Sequence, residues 1–184
     1  MEYFKCEMAN SRRWSLAIQR EFVDHAPVDI WAYSRGEIVK DVRQVPLCVD
    51  SNGDQVDFNP TAFGAIVVSL RMAEIVASIA GNDVQRIPAI VAHASGEWEV
   101  LNVLAVVDCI NYEKSIIQYF PSDHPEKPGK PRGVMRLVID SNEAGGHHIL
   151  KPDGWMAATI VSAKLKRALN QAGIRGIEYS SVAG

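Results

Sequence analysis

The sequence predicts an α+β protein with a mixed or largely antiparallel sheet, and two observations support this class. The run Val100–Val107 is too continuously apolar for a strand with one face in water. A short strand, a serine, an amphipathic helix and a second strand occur twice, with Ser69 and Ser162 at equivalent places 93 positions apart. The second observation gives a strand–helix–strand pseudo-repeat. At 184 residues the chain fits one domain spanning residues 1–184.

The central apolar run is the most buried stretch that the sequence predicts. Seven of its eight residues, Val100–Val107, are apolar, so we expect an interior strand covered on both faces. The exception is Asn102, which must find hydrogen-bond partners because an unpaired buried amide costs about 1 to 3 kcal/mol. The run stops at Asp108, and residues 108–115 have the composition of an ordered turn. Asp108 and Ser115 are expected to bond to nearby backbone groups there.

Two serines stand where the repeated helices begin. Ser69 follows the apolar strand Ala65–Val68, Ser162 follows Thr159–Val161, and apolar residues recur at helical spacing beyond each serine. A serine hydroxyl at this position accepts a bond from a backbone N–H and contributes about 1 kcal/mol, and an aspartate is expected to serve equally well. The alternative is a pair of nucleophiles. It is disfavoured because neither serine lies in a Gly-x-Ser-x-Gly motif.

The other segments predict two kinds of strand and a loop. Tyr3–Met8 alternates between apolar and charged residues, which indicates a strand at or near a sheet edge. Two alternating stretches within Val45–Phe58 flank the turn Ser51–Asp54 and predict a hairpin. Pro121–Gly133 holds four prolines, two glycines and three basic residues, which predicts a projecting loop outside any ladder. Val134–Ile139 is expected to follow as a strand.

Composition narrows the class of function. A net charge of -3 and a pI near 5.9 give no electrostatic case for nucleic acid. The sequence shows neither a signal peptide nor an apolar stretch approaching the roughly 20 residues that span a bilayer. Cys6, Cys48 and Cys109 are widely separated and odd in number, which fits buried, reduced thiols. We therefore expect a cytoplasmic protein with no nucleic-acid or membrane partner.

The sequence predicts no reaction centre. His147 and His148 would point to opposite faces of a strand, so no metal site is expected. Asp108 and Asp140 both follow strands, where turn capping is the favoured role and a carboxylate pair for acid/base hydrolysis is the alternative. Cys109 would need a base that the sequence does not identify. No catalytic residue, metal or cofactor is therefore assigned.

Four segments together resemble a known family. They are VVS at 67–69, RIPAIV at 86–91, VLNVLAVVDCINYEKS at 100–115 and IVSAKLKRALNQAGIRGIEY at 160–179. In order and spacing they are similar to the myxobacterial-type immunity-protein family of bacterial polymorphic toxin systems. The resemblance implies a cytoplasmic protein that neutralises a cognate toxin by direct binding, without a catalytic residue. Asp108 and Ser115 match the family and are interpreted as structural, whereas the proline-rich insertion departs from its pattern.

A protein that acts by binding is expected to contact its partner through aromatic and arginine anchors in irregular segments. The candidates are Trp31, Arg35, Trp98, His124, Lys127, Lys130, Arg132 and Trp155. For each aromatic candidate the alternative is burial in the core. Two other functions stay open on the sequence: a hydrolase that uses Asp108 and Asp140, and a homo-oligomeric or small-ligand-binding module.

Overall fold

A computed structural model describes residues 1–9, 12–19, 31–40, 44–62 and 64–184 of the chain. Within these ranges the helices are α1 (Ala32–Arg35), α2 (Leu70–Ala80), the short 3-10 helix Gly81–Asp83 and α3 (Ala163–Gln171). The strands are β1 (Tyr3–Met8), β2 (Ser15–Ile18), β3 (Val45–Ser51), β4 (Phe58–Pro60), β5 (Ile66–Ser69), β6 (Val84–Val91), β7 (Trp98–Val103), β8 (Val106–Val107), β9 (Ile116–Tyr119), β10 (Pro131–Arg136), β11 (Ile149–Pro152), β12 (Ile160–Ser162) and β13 (Ile177–Ser181).

The strands form two large sheets and one ribbon. A six-stranded sheet has the order β2-β3-β6-β7-β5-β4, and only its β3–β6 pair is parallel. A five-stranded sheet has the order β13-β1-β12-β11-β8, and only β11–β8 is parallel. Strands β9 and β10 pair separately as an antiparallel ribbon. The predicted α+β class with mixed, largely antiparallel sheets is confirmed.

Both large sheets bury residues on two faces, although Arg86, Pro88 and Ile90 of β6 are exposed. Neighbouring residues on a strand enter different cores: Leu101 packs with α2, α3 and residues of both sheets, whereas Val100 packs with Trp14 and Tyr33 on the other face of the six-stranded sheet. We call the first of these the shared core. The five-stranded sheet follows the same rule, because Val161 enters the shared core and Ile160 a third cluster. Coverage on both faces explains why β5 and β7 lack the alternation of apolar and polar residues that a half-exposed strand shows.

The pseudo-repeat has a definite topology. Strands β5 and β6, joined through α2, both run antiparallel to β7 and lie on either side of it. Strands β12 and β13, joined through α3, flank β1 in the same way. Each unit is therefore a parallel strand–helix–strand crossover split by an antiparallel strand. The inserted strand comes from later in the chain in the first unit and from the N-terminus in the second.

The central run is interior only as far as Val103. Strand β7 lies between β6 and β5, as predicted, but the expected extension to Val107 is wrong. The Leu104 N–H donates to the Asp83 carbonyl at 2.8 Å, and the Ala105 carbonyl accepts the Lys151 N–H at 2.8 Å. These bonds turn the chain out of the six-stranded sheet and into the five-stranded one, where β8 pairs with β11. Leu104 is only half-buried as a result.

Asn102 is completely buried, as the pattern of β7 predicts. Its Nδ2 donates to the Glu37 carbonyl at 2.7 Å and to Gln85 Oε1 at 3.1 Å. Gln85 in turn donates to and accepts from the backbone of Val39. The two amides thus hold residues 37–39 against the sheet, while Asn102 Oδ1 finds no partner among the described residues.

The predicted hairpin within Val45–Phe58 is wrong. Strand β3 pairs with β2 and β6, whereas β4 pairs with β5 at the opposite edge of the same sheet. The turn after β3 instead crosses the N-terminal segment, where Asp54 N–H donates to the Arg12 carbonyl and Trp14 N–H to the Asp54 carbonyl. Turn residues between two alternating stretches do not determine which strand each stretch will pair with.

Two boundaries near the proline-rich segment also differ from expectation. Pro131, Arg132 and Gly133, predicted to lie outside any ladder, belong to β10. Pro131 is the first residue of a strand in a two-stranded ribbon, a position where proline is tolerated because its missing N–H is not needed. The predicted strand Val134–Ile139 is correspondingly shifted, since β10 ends at Arg136 and Ile139 forms only an isolated bridge with Ile110.

The end of β7 gives a paired stability test. Leu101 is 1% exposed in the shared core, so Leu101→Ala should lower the free energy of unfolding by about 2 to 5 kcal/mol. Leu104, three residues on and half-buried, should lose about 1 kcal/mol when changed to Ala. Denaturant unfolding monitored by circular dichroism measures both. Equal losses would mean that the strand continues beyond Val103.

Candidate partner-binding surface

The ribbon of β9 and β10 and the loop between them form a surface feature that we call the arm (Ile116–Arg136). Its register pairs Ile116 with Arg136, Ile117 with Val134, Gln118 with Gly133 and Tyr119 with Pro131. The register shifts at Arg132 and Met135, each an extra residue on β10. Ile117 and Val134 face inward and pack against the third cluster, which anchors one face of the arm.

Ser115 fastens the base of the arm. Its hydroxyl donates to the Val138 carbonyl at 3.2 Å and accepts the Val138 N–H at 3.0 Å. Just before it, Asn111 Oδ1 accepts the Lys114 N–H at 3.0 Å, and the Asn111 carbonyl accepts the Ser115 N–H. Of the turn predicted over residues 108–115, the part Asn111–Ser115 is thus present.

The tip of the arm is ordered by its own side chains. His124 Nδ1 accepts the N–H groups of Glu126 (3.3 Å) and Lys127 (3.1 Å), and the His124 N–H donates to the Pro121 carbonyl. The loop closes where the Phe120 N–H donates to the Lys130 carbonyl at 2.9 Å. In this proline-rich segment the His124 imidazole therefore accepts backbone hydrogen bonds that a β-ladder would otherwise provide.

Three basic or aromatic side chains surround one ring at the tip. The His124 ring lies 4.5 Å from the Phe120 centroid, tilted by 56°. Lys127 Nζ and the Arg132 guanidinium carbon lie 5.8 and 5.9 Å from the same centroid. Both distances fall within the range of cation–π attraction. Three of the four predicted basic contact residues of this segment are therefore grouped around Phe120, and Lys130 is exposed beside them.

The arm also exposes large apolar side chains. Ile116 and Tyr119 are about half exposed and Met135 is 72% exposed, and Tyr112 at the base is 50% exposed. These four are among only ten large hydrophobic residues that the described part of the chain exposes. Sequence reasoning missed them because short apolar stretches such as Ile116–Tyr119 look like buried strands.

The other predicted contact residues lie on different segments. Trp98 is 5% exposed and packs its ring 5.2 Å from that of Trp14, so it belongs to the core and offers a partner little surface. Trp155 is half-buried against the third cluster. Trp31 is 54% exposed immediately before α1, and Arg35 makes a two-bond ion pair with Glu37.

Ser69 caps α2 within a larger polar cluster. Its hydroxyl accepts the Met72 N–H at 3.4 Å and donates to Asp57 Oδ1 at 2.7 Å. Asp57 Oδ2 accepts from Arg71 Nη2 at 3.0 Å and from the Arg175 N–H at 2.8 Å. Burial would raise the pKa of Asp57, but the Arg175 and Ser69 hydrogen bonds and the Arg71 charge outweigh it, so the pKa is lowered. Nothing in the sequence singled out Asp57, since its partners come from distant segments.

A cleft of about 510 Å³ opens beside this cluster, between Asp57, Arg71, Trp98 and Arg175. Both arginines already bond to protein: Arg71 also donates to the Ala172 carbonyl at 3.2 Å, and Arg175 to the Gln55 carbonyl at 3.0 Å. Arg71 therefore joins α2 to the α3–β13 connection, and Arg175 joins that connection to the segment before β4.

Ser162 caps α3 and touches a histidine. Its hydroxyl accepts the Leu165 N–H at 3.2 Å and lies 2.9 Å from His148 Nδ1. A serine, a histidine and the carboxylate of Asp83 meet here, but not as a catalytic triad. Asp83 contacts His147 Nδ1 at 2.6 Å and the backbone N–H of His148, and Ser162 is fully buried. A hydroxyl without access to solvent cannot receive a substrate.

The residues considered for acid/base or thiol chemistry lie around Cys109. Asp108 and Asp140 are exposed on either side of this strand end, and Asp140 Oδ1 accepts the Asn142 N–H at 2.9 Å as a turn residue does. Cys109 is buried, and burial together with the charges of Asp108 and Asp140 raises the pKa of its thiol to about 11. Its thiolate form is therefore scarce at neutral pH. Within the described ranges no three His, Cys, Asp or Glu side chains are placed to hold a metal ion.

Lys151 is a buried cation that the sequence did not reveal. It is 2% exposed, and Nζ donates to the Met156 carbonyl at 2.9 Å and the Gly64 carbonyl at 3.5 Å. Burial lowers the pKa of Lys151 to about 8. Lys151 lies in strand β11, whose other residues are apolar. From the sequence alone, a lysine in such a strand would be expected to face solvent.

Ser69 gives a test that differs from the expectation for an ordinary helix cap. Ser69→Asp places a second carboxylate against Asp57, so it should destabilise the protein more than Ser69→Ala, which removes a cap worth about 1 kcal/mol. Ser69→Thr keeps the hydroxyl and serves as the control. Thermal and denaturant unfolding give the ranking, and an aspartate variant as stable as the wild type would contradict the Asp57 contact.

Lys151 gives a pH-dependent test. Below about pH 8 the amine is charged in both the folded and the unfolded protein, whereas between about pH 8 and the ordinary value of 10.5 the unfolded state binds more protons. Stability contributed by this site therefore rises with pH over that window. The free energy of unfolding of the wild type minus that of Lys151→Met should rise by up to about 3 kcal/mol.

The free energy of unfolding must be compared between wild type and Lys151→Met, because buried tyrosines change the stability of both proteins with pH in the opposite direction. Burial raises the pKa of Tyr33 and of Tyr179, so their contribution to stability falls as the pH rises, equally in both proteins. Lys164→Met, which makes the same substitution at an exposed lysine of α3, is the matched control. A flat difference for Lys151→Met would show that its amine keeps an ordinary pKa.

The family model described as "Immunity protein family (Imm11)" matches residues 11–184, which is nearly the whole chain. No curated protein matches the chain significantly. None of the helices in the described part of the chain is long and apolar enough to cross a membrane.

Proposed function

The chain belongs to the immunity protein family Imm11, and from this premise we propose that it protects a bacterial cell by binding a cognate toxin directly. The match over residues 11–184 carries the proposal, because it includes the six-stranded sheet, four of the five strands of the other large sheet and the arm. Protection takes place in the cytoplasm and uses surface shape and charge, with no metal, cofactor or catalytic residue.

The arm is the part of the chain best suited to make the main contact. It combines exposed apolar side chains with basic groups held in place, the mixture from which interface anchors are drawn. A stable protein–protein interface buries about 1,600 Å² in total, so further surface must contribute. Trp31 and Arg35 are the predicted contact residues outside the arm that stay exposed.

Co-expression with the toxin encoded beside the gene tests the proposal. The wild type should restore growth and should co-purify with an inactivated toxin as a complex of fixed stoichiometry, measured by size-exclusion chromatography with light scattering. Asp108→Asn, Asp140→Asn and Cys109→Ser should each keep full protection, because binding by shape needs no titratable group at this strand end.

Two outcomes would replace the proposal by its alternatives. Protection at a substoichiometric ratio, lost on a single carboxylate change in a folded variant, would make the protein a hydrolase that uses Asp108 or Asp140. A homo-oligomer that neither protects cells nor binds the toxin would make it a ligand-binding or assembly module.

A further inference from the structure

We infer that the arm docks into an acidic, concave face of a protein partner, with an apolar floor that receives Ile116 and Met135. This inference rests on the proposed function and specifies the chemistry of the toxin surface. Three observations lead to it: the sign of the charge on the arm, the fixed positions of that charge, and the apolar strip beside it.

The charge of the arm is opposite to that of the rest of the protein. Residues 116–136 hold four basic and two acidic residues, which gives +2, whereas the remaining residues carry -5 because the whole chain carries -3. A positive extension on an acidic body attracts a negative surface and orients it toward the tip.

The positive charges occupy defined places. Lys127 and Arg132 lie over the Phe120 ring, and His124 fixes the backbone of Glu126 and Lys127 through Nδ1. Prolines at 121, 125, 128 and 131 restrict the chain further. Side chains ordered before association lose less conformational entropy on binding, so this tip is suited to enter a matching recess.

The apolar strip favours a protein over a nucleic acid as the occupant. Single-stranded nucleic acid is held by aromatic faces on which bases stack. On the arm the Phe120 ring is already covered by His124 and flanked by two cations, and the exposed Tyr119 lies on the opposite face of β9 from Ile116. Ile116 and Met135 are aliphatic. Aliphatic anchors next to basic groups fit an apolar floor rimmed by carboxylates.

The test measures association of the purified full-length protein with the neighbouring toxin domain, inactivated by substitution, at low and high ionic strength. Lys127→Glu/Lys130→Glu should slow association about tenfold or more at low ionic strength and flatten its salt dependence. Lys164→Glu/Arg167→Glu, on exposed positions of α3, changes the net charge by the same amount and should have association rates close to wild type. Circular dichroism checks folding, and Lys127→Gln/Lys130→Gln is the milder variant if the reversal unfolds the tip.

A second pair of variants, one on the arm and one control, tests the apolar floor. Ile116 and Ile90 are each 51% exposed, the first on the arm and the second on β6. Ile116→Ser should speed dissociation about fivefold or more, the effect expected of an anchor, and Ile90→Ser should leave it unchanged.

The outcomes separate this inference from the proposed function. Unchanged kinetics for the arm variants, or equal slowing by both charge reversals, would overturn the acidic docking face while toxin binding by the wild type still supports immunity. A wild type that does not bind the toxin removes both. Salt-sensitive binding of a labelled single-stranded oligonucleotide in place of the toxin, lost in Lys127→Glu/Lys130→Glu, would make nucleic acid the occupant.

Discussion

The structure depends on two sheets that each bury residues on both faces, with α2 and α3 packing against residues of both sheets in the shared core. A helix that starts at a buried sheet end leaves N–H groups away from water, and each must find an acceptor. Ser69 and Ser162 supply it, and each hydroxyl has a second partner, Asp57 in one case and His148 in the other. The polar residues at these two ends are a consequence of how the helices are packed.

The need to satisfy polar groups within the fold also accounts for residues that could be mistaken for catalytic groups. Asp57, Asp83 and Lys151 are acidic or basic groups whose partners are backbone or side-chain atoms of the protein itself. They join loops to helix and strand ends. The arm is different, because its polar and apolar groups are ordered mainly by one another and are presented outward. Membership of an immunity protein family fits a molecule whose interior polar groups serve structure.

Sequence reasoning succeeded where the signal is local. Periodicity and residues that bond to their own backbone predict the apolar run of β7, the strand Tyr3–Met8, the strand–helix–strand repeat and the turn at Asn111–Ser115. It failed where pairing is between distant segments: β3 and β4 lie at different places in the sheet although a turn separates them. Asp57 and Lys151 were missed for the same reason, because their partners are remote in sequence. On the arm the basic residues were foreseen, whereas Ile116 and Met135 were not, since exposure of an aliphatic side chain has no sequence signal.

The break after Val103 joins the two sheets through one short stretch of backbone. Strand β7 belongs to the six-stranded sheet and β8 to the five-stranded one, with only Leu104 and Ala105 between them. Separating the two sheets would therefore displace β7 from the six-stranded sheet or β8 from the five-stranded one. Amide hydrogens deep in both sheets are thereby tied to a common opening event, and the framework that holds the arm opens as one cooperative unit.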